Sequence, residues 1–352
     1  MIGLADKLEP NLAVFNDREE RSELYIYHTR ATLPRTLAKQ IFQIDKISRW
    51  AQNYMDTIHS IGTIQSLAFL ILWAGILFLF FNKEKTAFVF LALSIATSLY
   101  SGVAGLIATL PLAGLAAAVF TTAGLHRRDI GKYRPFEWLA LTVTIILSYG
   151  LGAHLFPGFN NPLIVDNLNL SADALPFTLF WRYDKAIVAF GLLFLFSVYR
   201  PKQKVDANRW IISWMVVIMT PIIVLSLAVF EGMIAWNPKL PDFIFYWLLS
   251  NFFVASVGVE AFFRGIIQFH LCNTLNRISS HGWVIGVLLT SVVFGAVHLS
   301  GGIYFMAFAA LAGIGYGTVF YLTNRLEMSI LAHFLLNASH FILFTYPIIK
   351  PT

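Results

Sequence analysis

Long apolar stretches recur along this chain, and they constrain its fold more than any other feature. A helix needs about 20 mostly apolar residues to cross the hydrocarbon core of a bilayer. Nine stretches approach that length, and we predict each to be a transmembrane helix: 62–81, 86–106, 136–156, 185–199, 210–235, 243–271, 283–299, 303–323 and 327–347. The sequence therefore predicts an all-α polytopic membrane helix bundle with about 8–10 transmembrane helices.

Residues 107–125 are ambiguous in this pattern. Pro111 and several glycines fit a re-entrant piece, an extension of the second stretch or a separate short helix. We favour a single crossing over 86–125, which gives nine spans in total.

The overall composition agrees with a membrane protein. Of 352 residues, 57% are hydrophobic and only 12% are charged, whereas soluble domains average about 25% charged residues. The mean hydropathy is +0.68. The single cysteine, Cys272, excludes an intrachain disulfide. The net charge of +6 comes from loops between spans, so the lipid bilayer is the expected partner and nucleic acid is not.

We predict three regions along the chain, of which the first is set apart by its charged residues. Residues 1–60 form a polar head with eight Lys/Arg and eight Asp/Glu, and they include an apolar stripe from Ile41 to Ile58. That stripe fits an interfacial helix, or a helix packed on the protein's own surface. Residues 61–209 form an N-terminal transmembrane region, and residues 210–350 form a C-terminal core.

Basic residues predict which loops face the cytoplasm. They concentrate in two loops, listed here: Arg127, Arg128, Lys132 and Arg134, then Arg200, Lys202, Lys204 and Arg209. The long loop 157–184 then faces the other side. A single crossing over 86–125 places the N-terminus inside, whereas two crossings place it outside, as Lys83 and Lys85 favour. We expect a bacterial inner membrane.

Three polar clusters interrupt the apolar C-terminal third. They are Glu260 with Arg264, His298 alone, and His333 with Asn337. Ionisable groups inside a membrane are costly, so each is a functional-site hypothesis. Each also has a structural interpretation: a buried ion pair, a helix-end anchor and an interhelical hydrogen bond, respectively.

Together these five side chains are sufficient for hydrolysis of an amide bond. Glu260 near His298 can activate water, and His333 with Asn337 can donate hydrogen bonds to an oxyanion. Arg264, one helical turn from Glu260, can orient the carboxylate. No serine or cysteine is placed as a nucleophile, so we expect attack by water and no cofactor. Zinc held by Glu260, His298 and His333 is the less favoured alternative.

These motifs resemble the CAAX protease and bacteriocin-processing (CPBP, or Abi) family of intramembrane endopeptidases. The family pattern is Glu-Glu-x-x-x-Arg, then Phe-x-x-x-His, then His-x-x-x-Asn. Here Phe294 to His298 matches the second motif, His333 to Asn337 matches the third, and Glu260 with Arg264 matches most of the first. The resemblance covers about residues 210–347. It implies a membrane-embedded endopeptidase acting on a peptide or a membrane-anchored protein.

One departure from the family pattern bears on activity. Val259 stands where the family has its first glutamate, which is usually given the role of base. Adjacent side chains on a helix point about 100° apart, so Glu260 does not simply fill that place. Three outcomes are open. Glu260 serves as the base after a small rotation of its helix, Glu231 substitutes as the base, or the protein has lost hydrolysis. The last case makes the protein a catalytically silent membrane scaffold or binding protein. A transporter is a third hypothesis, because buried charged pairs also mark ion paths.

Overall fold

The computed structural model describes residues 62–128, 131–200 and 204–350. The predicted head at 1–60 and its apolar stripe lie outside these residues. In the described part, the helices are α1 Thr63–Phe80, α2 Glu84–Tyr100, α3 Thr109–Arg128, α4 Arg134–Gly152, α5 Tyr183–Tyr199, α6 Ala207–Phe230, α7 Ile244–Leu275, α8 Gly282–Ala296, α9 Ile303–Thr323 and α10 Leu326–Leu343. This architecture confirms the predicted all-α polytopic bundle.

The ambiguous segment 107–125 belongs to a separate helix. A short 3-10 turn, Leu106–Ala108, leads into α3, and Gly102 adopts a positive φ in the turn that separates α2 from α3. The favoured prediction that 86–125 forms one crossing helix is therefore wrong, because two separate helices occupy it. Pro111 lies in the first turn of α3, where backbone N–H groups have no acceptor within the helix. The N–H that proline lacks therefore costs no hydrogen bond there.

Within residues 62–128, 131–200 and 204–350, seven helical segments are long and apolar enough to cross a membrane. Most of them expose a broad apolar face, as α6 does with Ile211, Met215 and Ile222. Such faces suit contact with lipid. The segment containing α7 differs because 67% of its most apolar window is buried, against 28–39% in the other six. α7 is therefore an inner helix of the bundle.

α5 is the second inner helix. Thirteen of its residues are buried, on every side, which is the pattern of a helix surrounded by other helices. It packs against α1, α3, α4 and α7. The contact with α7 is close because Gly265 on α7 faces the ring of Phe196 on α5, where a Cβ would lie 3.4 Å away. Gly258 makes a similar approach to Ala189.

α7 is not a regular α-helix. Two stretches, Ser250–Val257 and Ala261–Gln268, are π-helical, with i→i+5 hydrogen bonds, and they flank the single α-helical turn Gly258–Glu260. π-Helical turns are rare and are frequent at functional sites. In this chain the first polar motif begins at Glu260, in the α-helical turn, and ends at Arg264, in the second π-helical stretch.

The long loop before α5 contains a small antiparallel hairpin, which the sequence analysis did not predict. β1 Leu163–Leu168 pairs with β2 Phe177–Phe180, with Leu163 opposite Phe180. The ring of Phe177 packs on Phe243 and Phe341, so the hairpin covers one end of the bundle.

The contact between α8 and α9 depends on Gly295. A Cβ there would lie 2.7 Å from the Met306 carbonyl oxygen, which is backbone and has little freedom to move. We expect Gly295→Ala to lower the free energy of unfolding by roughly 1–3 kcal/mol, the usual cost of overpacking. The measurement is thermal unfolding in detergent. Gly124→Ala is the matched control because nothing lies within 4 Å of its Cβ position. Equal melting temperatures for the two variants would contradict the expected clash.

Candidate active site

Glu260 and Arg264 form a buried ion pair on α7. Both side chains are fully buried, with Arg264 Nε 3.2 Å from Glu260 Oε2 and Nη1 3.3 Å from Oε1. The first contact is ionic only, since the Nε–H is not aligned with the carboxylate oxygen. Burial makes the pairing necessary, because either charge alone would be uncompensated in an apolar interior.

Residues of α8 and α9 complete the surroundings of the guanidinium. Arg264 Nη2 donates to the Gly313 carbonyl at 3.0 Å. The guanidinium also lies 4.7 Å from the centre of the Phe294 ring and 5.4 Å from that of Tyr316, within cation–π range. A Cβ at Gly313 would lie 3.2 Å from Nη2, so glycine permits this close approach. Arg264 thus ties α7 to both neighbouring helices.

The carboxylate of Glu260 also binds two side chains of α10. His333 Nδ1 lies 2.7 Å from Oε1, and Ser329 Oγ donates to Oε2 at 2.5 Å. Because a carboxylate only accepts, Nδ1 of His333 carries the proton, which leaves Nε2 as its second ring nitrogen. The ring of His333 stacks on Tyr316 at 4.9 Å. These contacts fix both the position and the plane of His333.

His298 lies just beyond the end of α8 and is partly buried. Its Nδ1 lies 2.8 Å from the Phe294 carbonyl oxygen. A carbonyl also only accepts, so Nδ1 is the protonated nitrogen and Nε2 of the neutral ring carries a lone pair. α8 has 15 residues and spans about 22 Å, less than the ~30 Å hydrocarbon core. A helix of this length that starts at one interface ends within the membrane.

A cavity of about 110 Å³ brings the second and third motifs together. We call it the histidine cavity, because His298, His333 and His340 line it together with Asn337. The remaining lining is mostly apolar, including Phe305 and Leu336. Nδ2 of Asn337 donates weakly to Asn251 Oδ1 at 3.4 Å, which leaves its second N–H free for a ligand.

A second cavity, of about 300 Å³, lies on the other side of His298 and Phe294, which line both cavities. We call it the Lys185 cavity, because Lys185 is the charged side chain among its described lining residues. Val259 faces this cavity, not the histidine cavity. Among the described residues, neither cavity is lined by a carboxylate.

The comparison with protein families agrees with this arrangement. Residues 241–339 match the family model described as type II CAAX prenyl endopeptidase Rce1-like. This part of the chain is similar to the Rce1-like family. The match begins before α7 and ends near the end of α10, so all three motifs of the Rce1-like domain fall within it. The predicted resemblance to CAAX proteases is confirmed.

The Rce1-like domain and the long apolar helices together identify an integral membrane protein of the CAAX-type endopeptidase kind. No curated protein and no solved structure matches the chain significantly.

The predicted zinc set does not fit the Rce1-like domain as folded. No group of three or more His, Cys, Asp or Glu side chains in the described residues could hold a metal ion. The carboxylate oxygens of Glu260 already accept from Arg264, Ser329 and His333. Nδ1 of His298 is bound to a backbone carbonyl, so that nitrogen is not available to a metal ion either.

Of the five predicted site residues of the Rce1-like domain, His298, His333 and Asn337 line one cavity. Glu260 and Arg264 are fully buried behind it and line neither cavity. Glu231, the alternative base, is exposed at the end of α6 and lines neither cavity.

Sequence reasoning missed several residues of the site. Ser329, His333 and Asn337 repeat at four-residue spacing, which places them on one face of α10. That spacing was available as a signal for Ser329. Nothing local in the sequence indicates Tyr316, the Gly313 carbonyl or Lys185, because they reach the site from α9 and α5, which carry none of the three motifs.

Proposed function

We propose that this protein is an intramembrane endopeptidase that hydrolyses a peptide bond near the C-terminus of a lipid-modified or membrane-anchored protein. The observation that carries the proposal is the histidine cavity, in which His298, His333 and Asn337 face a common space. The Rce1-like family match supports the reaction class and a peptide substrate.

His298 is the general base in this proposal. Its Nε2 lone pair takes a proton from water as the water oxygen bonds to the scissile carbonyl carbon. The carbonyl electron pair moves to oxygen and forms the oxyanion. His298 then passes the proton to the leaving nitrogen as the C–N bond breaks, which yields a new carboxyl group and a free amine.

His333 and Asn337 stabilise the oxyanion. This role requires the doubly protonated His333 ring, with Nε2–H as the donor and Glu260 as its counter-ion at 2.7 Å. The sequence analysis gave Glu260 a role in activating water. The geometry favours a positioning role instead, because Glu260 holds His333 and lines neither cavity.

The test is cleavage of a fluorogenic prenylated peptide by the full chain in lipid vesicles. We expect wild type to cleave it, and His333→Ala to lower kcat by about 10²–10³-fold, the usual cost of losing an oxyanion donor. EDTA should leave the rate unchanged. His281→Ala is the control because His281 is exposed and lines neither cavity. Undiminished cleavage by His333→Ala contradicts the assigned role, and absence of cleavage by wild type contradicts the proposed function.

A silent scaffold is the second candidate function. The absence of a carboxylate from the described lining of both cavities favours it, because the family pattern has a glutamate at position 259. It predicts that wild type cleaves no peptide, whereas Val259→Glu does. The bacterial inner membrane remains a prediction.

A further inference from the structure

The Lys185 cavity combines one charge with an apolar lining. Of the described residues around its ~300 Å³, most are apolar or aromatic, including Val188, Phe262 and Val297. Ser148, Tyr149 and His298 add polar groups, and Lys185 adds the charge. Pockets of this volume with few polar groups are typical of ligand sites.

The ammonium of Lys185 has no partner that explains its position. Within the described residues it makes no ion pair or hydrogen bond; only the backbone N–H of Lys185 binds Asp184, at 2.9 Å. The Asp184 carboxylate is instead engaged by His154 at 2.5 Å and by Asn161 at 3.2 Å. An ionisable side chain without a partner in a membrane-embedded helix is costly, which indicates a functional site.

Val259 leaves this ammonium available. A glutamate at position 259, as in the family pattern, would place a carboxylate in the same cavity as Lys185. The two would pair, since opposite charges in an apolar cavity attract strongly. Valine removes that internal partner and leaves a cavity suited to an anion carried on an apolar chain.

The cavity also adjoins the histidine cavity. His298 lines both cavities. A ligand whose anionic end lies at Lys185 shares its cavity with His298, so its chain has a route to that ring. In a peptide substrate the group that meets this requirement is the C-terminal α-carboxylate, which lies a short distance from bonds near that terminus.

We propose that Lys185 binds the free α-carboxylate at the C-terminus of the substrate and so directs hydrolysis to bonds near that end. This inference rests on the proposed function for its choice of ligand. The shared chemistry is a carboxylate on an apolar chain, which a free fatty acid also offers, and the experiment distinguishes the two sources.

The experiment measures binding of two prenylated peptides to the full chain in lipid nanodiscs. The peptides differ only in a C-terminal acid or amide, and their backbone is N-methylated to resist hydrolysis. We expect wild type to bind the acid at least about tenfold more tightly, as a charge-assisted hydrogen bond predicts. In Lys185→Met that ratio should approach one.

Two further variants control the result. Val259→Glu should also bring the ratio towards one, because its carboxylate pairs with Lys185, and it keeps the test decisive if Lys185→Met does not fold. Lys204→Met should keep the wild-type ratio, since Lys204 is exposed in a loop and lines neither cavity. A ratio near one in wild type, or an unchanged ratio in both cavity variants, overturns the inference.

Two additional measurements separate the remaining outcomes. Oleate is the fatty-acid probe. Lys185-dependent oleate binding together with an acid-to-amide ratio near one overturns the peptide assignment in favour of a lipid. Cleavage of the unmethylated peptide is measured separately. If the peptide is not cleaved but wild type still prefers the acid over the amide, the inference holds and the proposed peptidase function fails. If the peptide is cleaved but the acid-to-amide ratio is near one, the proposed function holds and the inference fails.

Discussion

We expect His298→Ala to lower kcat for peptide cleavage by about 10²–10⁴-fold, the usual contribution of a general base. The expectation follows from Nδ1, which is held by the Phe294 carbonyl and leaves Nε2 to accept a proton from water. Folding should be little affected, because the partly buried ring makes one hydrogen bond, worth about 1 kcal/mol. The measurements are single-turnover cleavage in vesicles and thermal unfolding in detergent.

Chemical rescue distinguishes a base from a structural histidine. Removal of the ring leaves space beside a cavity of about 110 Å³, so added imidazole should restore part of the lost rate. The same addition should not change the rate of His281→Ala. A His298→Ala variant that cleaves as fast as wild type shows that another group is the base. Loss of rate in parallel with loss of folding shows a structural role.

The second large effect concerns stability. We expect Glu260→Gln to lower the free energy of unfolding by about 3–5 kcal/mol, because it leaves Arg264 as a fully buried charge without its counter-ion. The same change removes the negative charge that faces His333 at 2.7 Å, so cleavage should also fall. Unfolding in mixed detergent–SDS micelles measures the stability change.

A double-mutant cycle identifies the cause. Arg264→Met in the Glu260→Gln background removes the orphaned charge, so the double variant should lose less stability than the two single losses added together. We expect a coupling above about 1 kcal/mol. Glu84→Gln is the surface control: Glu84 and Arg127 are 3.8 Å apart and largely exposed, and such pairs contribute about 0–1 kcal/mol. Additive losses at Glu260 and Arg264 would falsify the account of a mutually dependent buried pair.

The membrane class and the motif-bearing residues could be predicted from the sequence alone. Both depend on one-dimensional properties. Spanning a bilayer requires a run of apolar residues, and a polar group within such a run is conspicuous because its burial is costly. The ordered residues Glu260, His298 and His333 therefore indicated a CAAX-type peptidase before any contact was known, and the family match to residues 241–339 confirms that resemblance.

Helix boundaries were less predictable where local signals conflicted. Pro111 and the nearby glycines suggested a broken or re-entrant segment, yet the proline occupies the first turn of α3 and is tolerated there. The hairpin Leu163–Phe180 was also missed, because its strands pair through contacts that leave little trace in a short apolar pattern.

The sequence by itself determined that this chain forms a helix bundle in a membrane with five candidate site residues, because length, hydropathy and motif spacing are local properties. Only the tertiary structure decided which of those residues face a cavity. Helix rotation and the π-helical stretches of α7 place Glu260 behind the site and Val259 in the Lys185 cavity. The packing of α5 against α7 brings Lys185, distant in sequence, beside Val259. These placements depend on contacts between separate helices, which no single stretch of sequence records.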